Sequence, residues 1–222
     1  MCLAALALCA ISQVAACATY SAAPMQATVV DAETKQPVEG AVVVAHWVLE
    51  DTGAVKTVGD MELMEAVTDP NGRFALPGWG PKATPQYPYP VRLSQLDPEI
   101  IILKPGYMPL SVMNNEHPNL IFHPEDLGPA TRTSQWDHRV IELKRADDPP
   151  KNYALALSTL LTGVDHSGCK WQKIPRTIVV LTREKDRLKR LGINSYPALT
   201  ISRVEDGPAS CGSVREFFKD YQ

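Results

Sequence analysis

In this 222-residue chain the groups whose types and spacing could do chemistry are five histidines, five cysteines and the acids near them. A zinc hydrolase centre needs a local His-x-x-Glu pair and a further distant His. None of the histidines has Glu three residues later. His123-Pro124-Glu125-Asp126 comes nearest, and a proline-containing loop would hold ligands poorly, so no metal is expected. His166-Ser167-Gly168-Cys169, following Asp165, has the parts of a thiol nucleophile beside a base. Gly163 and Gly168 place that run in a loop between helices, which favours a structural Cys169. His46 stands among valines, as a hydrogen-bonded core histidine does. No Gly-x-Ser-x-Gly elbow or glycine-rich phosphate loop occurs. No catalytic residue or cofactor is therefore assigned, and the expectation is a protein that is not an enzyme.

Two surface features could bind rather than catalyse. Trp79, Tyr87 and Tyr89 lie in a Pro/Gly-rich stretch, where aromatic faces could stack on a sugar or peptide. The alternative is a loop packed on its own domain. Between Lys170 and Arg190 stand eight basic residues (Lys170, Lys173, Arg176, Arg183, Lys185, Arg187, Lys189, Arg190) against Glu184 and Asp186. That pattern suits a solvated helix face, or contact with anionic lipid headgroups. A formal net charge of -3 argues against a nucleic-acid binder.

The elements that would position these residues change character along the chain. Residues 3–14 form an apolar run too short to span a bilayer, ending in small residues, as a secretory signal does. Residues 1–24 are expected to lie outside the fold. From residue 25 to 146 the pattern is β, and 19 prolines suit a loop-rich β architecture. In "AVVVAHWVLE" Ala41, Val43, Ala45, Trp47 and Leu49 share one face and Val42, Val44, His46 and Val48 the other, so the strand should be covered on both sides. "VTDPNGRFAL" predicts a β-hairpin. Pro70 and Asn71 fill the centre of a type I turn, Gly72 takes positive φ, and Phe74 and Leu76 face one side. Residues 81–90 read as a proline-rich loop. "EIIILKPGYMPLSV" gives a strand pair about Pro105-Gly106, and "WDHRVIELKR" a last strand.

After Asp147-Asp148-Pro149-Pro150 the period turns helical, over 150–222. Tyr153, Leu157, Leu160 and Leu161 define a first helix, capped near Gly163. A second starts at Pro175, turns Ile178, Leu181, Leu188 and Leu191 inward, and stops at Gly192. A third opens on the capping box Ser213/Glu216 and carries Phe217, Phe218 and Tyr221.

Two resemblances follow. Val14-Ala15-Ala16-Cys17 resembles the lipobox of bacterial lipoproteins, which implies cleavage before Cys17 and its lipidation. No Lys or Arg precedes Lys35; a start codon lying further upstream would supply the usual basic segment. Ordinary cleavage near Ala18 or Ala22 is the alternative. Ala18 rather than Asp after the cysteine resembles outer-membrane sorting. Export would remove Cys2 and Cys9 and lipidate Cys17, leaving Cys169 and Cys211 as one disulfide in an oxidising compartment.

The second resemblance rests on "VVDAETKQPVEGAVVVAHW", "TDPNGRFAL" and "LKPGYMP". With Val29, Asp31, Thr34, Pro37, Val38, Gly40, Ala41, Thr68, Asp69, Gly72, Phe74, Gly106 and Tyr107, these are similar to the carboxypeptidase regulatory-like domain. That resemblance implies a mainly β, transthyretin-like sandwich followed by a small helical region, and says little about function. Hydroxyisourate-hydrolysing relatives of transthyretin end in Tyr-Arg-Gly-Ser, whereas this chain ends "FFKDYQ". The expectation is a non-catalytic, lipid-anchored envelope protein, facing the periplasm from the outer membrane. Its sandwich would be a binding or structural module, with an envelope protein or glycan as partner. The alternative is an accessory subunit of an envelope enzyme or transport complex.

Overall fold

A computed structural model describes residues 19–54, 56–114, 130–146, 151–161, 164, 169–194, 197–205 and 208–221. It is mainly β, with sheets packed as a sandwich and short helices at the C-terminal end. The largest sheet has the order β4 (Lys56–Val67), β3 (Val42–Asp51), β8 (Glu99–Leu103), β9 (Leu110–Val112), and β7 (Val91–Leu93) also pairs with β3. A second sheet sets β2 (Met25–Asp31) between β11 (Val140–Leu143) and β5 (Arg73–Leu76). A third sets β1 (Thr19–Ala22) between β10 (Thr131–Arg132) and β6 (Trp79–Ala83).

β3 is buried on both faces, as its composition requires. Ala41, Val43, Ala45, Trp47 and Leu49 join Phe74, Leu76, Ile100, Ile102 and Ile141 in the sandwich core. Val44, with Leu63, Ile101 and Leu103, belongs to a second core completed by the helices. These are α1 (Lys151–Thr159), α2 (Pro175–Arg190), α3 (Ile201–Glu205) and α4 (Val214–Phe217), with 3-10 turns at Cys169–Lys173, Ala209–Cys211 and Phe218–Tyr221. The segment after 150 is thus a third layer whose apolar side is completed by strand residues.

Four sequence expectations are corrected. The fold begins before Met25: β1 pairs with β6 and β10, and Tyr20 is only 2% exposed. The turn after Val67 has the expected geometry, with Gly72 at φ 72° and its N–H donating to the Asp69 carbonyl at 2.8 Å. Yet it does not close a hairpin, because β4 pairs with β3 while β5 pairs with β2 in the facing sheet. Phe74 and Leu76 therefore enter the core from the side opposite β4's sheet. Trp79–Ala83 is a strand although it contains Pro81, which sits in the outermost strand of its sheet, where a missing N–H costs little. Leu191 is exposed because α2 ends at Arg190 and the chain turns away at Gly192, at φ 73°.

Candidate functional site

The densest set of titratable groups lies where β3 and β4 meet the helical layer. His46 is opposite Leu63 across the ladder, and Asp60, three residues before Leu63, would normally face the other way. An extra residue in β4 restores it: the register passes from Trp47↔Glu62 to Val48↔Asp60, leaving Met61 as a bulge. Re-aiming a side chain is a common role for a bulge. Asp60 thereby shares a face with His46 and accepts from Nε2 at 2.7 Å. Glu99, across β3 on β8, brings a carboxylate oxygen to 3.7 Å from Nδ1 and accepts from the Ser111 hydroxyl at 2.5 Å.

His46 is 2% exposed. Burial works to strip its proton, but the Asp60 hydrogen bond and the Glu99 carboxylate outweigh burial and push the imidazole up to about 9. Burial likewise raises Glu99, but His46 and Ser111 together bring it below the usual range. At neutral pH the site is thus an imidazolium held between two carboxylates.

The same strand extends the pattern toward the helices. Lys170 reaches the Asp60 carbonyl at 2.7 Å and its carboxylate at 3.3 Å. Glu62 is bridged by Lys173 from the helical layer and by Lys82 from β6. Burial would raise Glu62, and the two lysines hold it below its ordinary value. Glu65 accepts from the backbone N–H groups of Arg176 and Thr177 at 3.0 and 2.6 Å, and from the Thr177 hydroxyl at 2.7 Å. Those N–H groups belong to the first turn of α2, which begins at Pro175, so a carboxylate from another element caps it. Burial pushes Glu65 upward nonetheless.

The basic run is thereby divided. Lys170, Lys173 and Arg176 face the carboxylates of β4, Arg187 pairs with Glu184 at 2.7 Å, and Lys185 reaches Ser202 at 3.2 Å. Arg183, Lys189 and Arg190 remain on the exposed side of α2. Asp60, Glu62, Glu65 and Glu99 escaped the sequence reading. The available signal was acids inside apolar strand sequence, matched by cations at similar intervals in the tail.

The aromatic trio is divided between the core and the surface. Trp79 is 7% exposed and packs edge-on against Trp47 at 5.6 Å between centroids. Tyr87 and Tyr89 pair with each other at 5.6 Å, and the Tyr87 hydroxyl donates to the Val58 carbonyl at 3.3 Å. Cys169 and Cys211 are bonded, with Cα atoms 5.2 Å apart. The bond joins the 3-10 turns that flank an aromatic cluster of Trp171, Phe217, Phe218 and Tyr221, in which Trp171 lies 5.0 Å from Phe217 and 5.6 Å from Phe218. Cys17, His123 and the run 165–168 with His166 lie outside the described residues. Among the described residues no group of three His, Cys, Asp or Glu side chains is arranged to hold a metal ion.

The motif residues quoted above latch turns together. Asp31 Oδ1 accepts from the N–H groups of Glu33 and Thr34, while Oδ2 accepts from the Tyr107 hydroxyl at 3.0 Å and pairs with Arg145 at 2.8 Å. The Thr34 N–H is the chief cause of a carboxyl held far below its ordinary value, with Tyr107 adding to it. Thr68 donates to the Val38 carbonyl at 2.6 Å and accepts from Ala41 N–H at 2.8 Å.

No family model matches this chain, and no curated protein does. Among solved structures it is similar to 3-chlorocatechol 1,2-dioxygenase from Rhodococcus opacus 1CP, with a TM-score of 0.31 and 17% identity over 57% of this chain. It is likewise similar to chlorocatechol 1,2-dioxygenase from Pseudomonas putida, with a TM-score of 0.32 and 16% identity over 57% of this chain. The match spans 60% of each of those chains.

Proposed function

We propose that this chain is a lipid-anchored, non-catalytic protein of the bacterial envelope, facing the periplasm from the outer membrane. Its sandwich, of the carboxypeptidase regulatory-like kind, serves as a binding or structural module. The observation that carries the reading is the position of β1. The lipobox-like run Val14 to Cys17 stops just short of β1, which spans Thr19–Ala22. Cleavage before Cys17 leaves β1 whole. Cleavage after Ala22 would take Tyr20 and Ala22 out of the core and leave β6 and β10 without the strand between them. A lipid on Cys17 would then hold the sandwich close against the headgroups, with only Ala18 as a tether. A single chain anchors marginally, and the several chains of a lipoprotein cysteine anchor stably.

The non-catalytic half of the reading is supported by what the reactive groups are doing. Asp60, Glu62 and Glu65 tie the helical layer to the sheet, His46 is held between Asp60 and Glu99, and Cys169 is committed to Cys211. Partners would be the bilayer, through the anchor, and an envelope protein or glycan. Expression of Cys17→Ser with metabolic palmitate labelling tests the anchor. The label should vanish and the protein should leave the membrane fraction. Unchanged labelling would sink the reading.

A further inference from the structure

The outward face of the β11–β2–β5 sheet carries groups that neither the sandwich core nor the helical seam employs. Alternation along β2 and β5 buries Met25, Ala27, Phe74 and Leu76 and turns Gln26, Thr28, Arg73 and Ala75 outward. Gln26 lies across from Ala75 and Thr28 across from Arg73, so the short Ala75 side chain leaves a depression between Arg73 and Pro77.

Two adjoining cavities occupy that depression. One, of about 330 Å³, is lined by Gln26, Thr28, Arg73 and His138. The other, of about 560 Å³, is lined by Pro24, Met25, Leu76, Pro77 and Asp137. Gln26 and His138 border both, so a polar half runs into an apolar half. Each volume falls in the range that small organic ligands occupy.

His138 stands at the divide with φ 56°, a left-handed conformation that His, Asn and Asp adopt more readily than other non-glycine residues. Its N–H donates to the Gln26 carbonyl at 2.6 Å, and its Nδ1 lies 3.2 Å from the Gln26 side-chain nitrogen. Asp137 accepts from Gln26 N–H at 2.8 Å and lies 3.6 Å from His138 Nε2. Arg73 makes no ion pair among the described residues and offers its planar fork to the polar half.

We propose that this groove binds a small amphipathic carboxylate. Arg73 holds the acid group with two parallel N–H donors, a geometry that matches a carboxylate. The Gln26 amide and the His138 ring border it, and the apolar body lies on Ala75 and the two prolines. A compact inorganic anion would fill only the polar half. The assignment does not depend on lipidation at Cys17.

The test is titration of the purified chain with 4-phenylbutyrate, followed by saturation-transfer NMR. Saturable binding is expected. It should weaken by about tenfold or more, equivalent to at least about 1.4 kcal/mol, when the probe is the uncharged 4-phenylbutyramide. Arg73→Gln should weaken the acid and leave the amide unchanged, whereas Ala75→Leu, which fills the floor from the solvent side, should weaken both. The acid-against-amide comparison uses the unmodified protein and stands even if a variant fails to fold. Non-saturable signal, or equal affinity for acid and amide, would overturn the proposal.

Discussion

On one face of β3, Ala41, Val43, Ala45, Trp47 and Leu49 pack into a cluster built from apolar side chains of the facing sheets. On the other face Val44 packs against helices, but beside it stands His46, and the neighbouring β4 presents Asp60 and Glu65 to the same layer. Apolar contact is non-directional and follows buried area, so the first face holds two sheets together without dictating much about either. Ion pairs and a borrowed cap are directional. Buried pairs of this kind add little net stability against an apolar replacement, yet breaking one is costly because its partner charge stays buried. The second face therefore determines where the helical layer sits more than how strongly it adheres. The disulfide between Cys169 and Cys211 and the aromatic cluster around Trp171 hold the helical layer itself together.

That contrast can be broken most severely from the helical side. Cys211→Ser opens a loop with a sequence separation of 42 residues, for which chain entropy gives a loss of about 4 kcal/mol. The expected outcome is selective: limited proteolysis should cut after residue 150 while the sandwich survives as a resistant fragment. Loss of both halves together would show that the two faces of β3 are one cooperative unit.

Gly72→Val attacks the other side. A Cβ there would collide with the Val29 carbonyl oxygen and come within 3.2 Å of Val38 N, at a φ of +72° that a β-branched residue tolerates badly. A loss of about 3 kcal/mol is expected in chemical denaturation. The transition should weaken as a whole, because Val29 and Val38 both belong to the sandwich core. A midpoint equal to that of the unmodified protein would mean the turn relaxes at no cost.

The smallest effect sharpens the comparison through pH. The folded His46 is raised to about 9 from an ordinary value of 6.5, so its contribution is complete below about pH 6.5 and is lost as pH rises through about 9. Between pH 7 and 9 stability should fall by about 1–2 kcal/mol, or a few degrees in Tm. His46→Gln should flatten that slope and leave the behaviour of the sandwich core unchanged. An equally steep slope in the variant would place the titrating group elsewhere.

The residue order alone determined the β-to-helical change near residue 150, the two-faced burial of β3, the positive φ at Gly72 and the start of α2 at Pro175. Each depends on side-chain period or on backbone sterics within a few residues, and such preferences survive in an isolated segment. The tertiary structure decided which sheet β5 joins, since a type I turn with Gly72 is equally compatible with pairing to β4 or crossing to β2. It decided that Thr19–Ala22 is a strand, because four residues carry little periodicity until β6 and β10 are beside them. It also decided the charge seam. Asp60 faces His46 only because Met61 bulges, and Glu65 caps α2 from more than a hundred residues away. A parity shift of one residue and a contact between distant segments leave no local trace, which is why the aromatic residues drew attention as a candidate site while the acids of β4 did not.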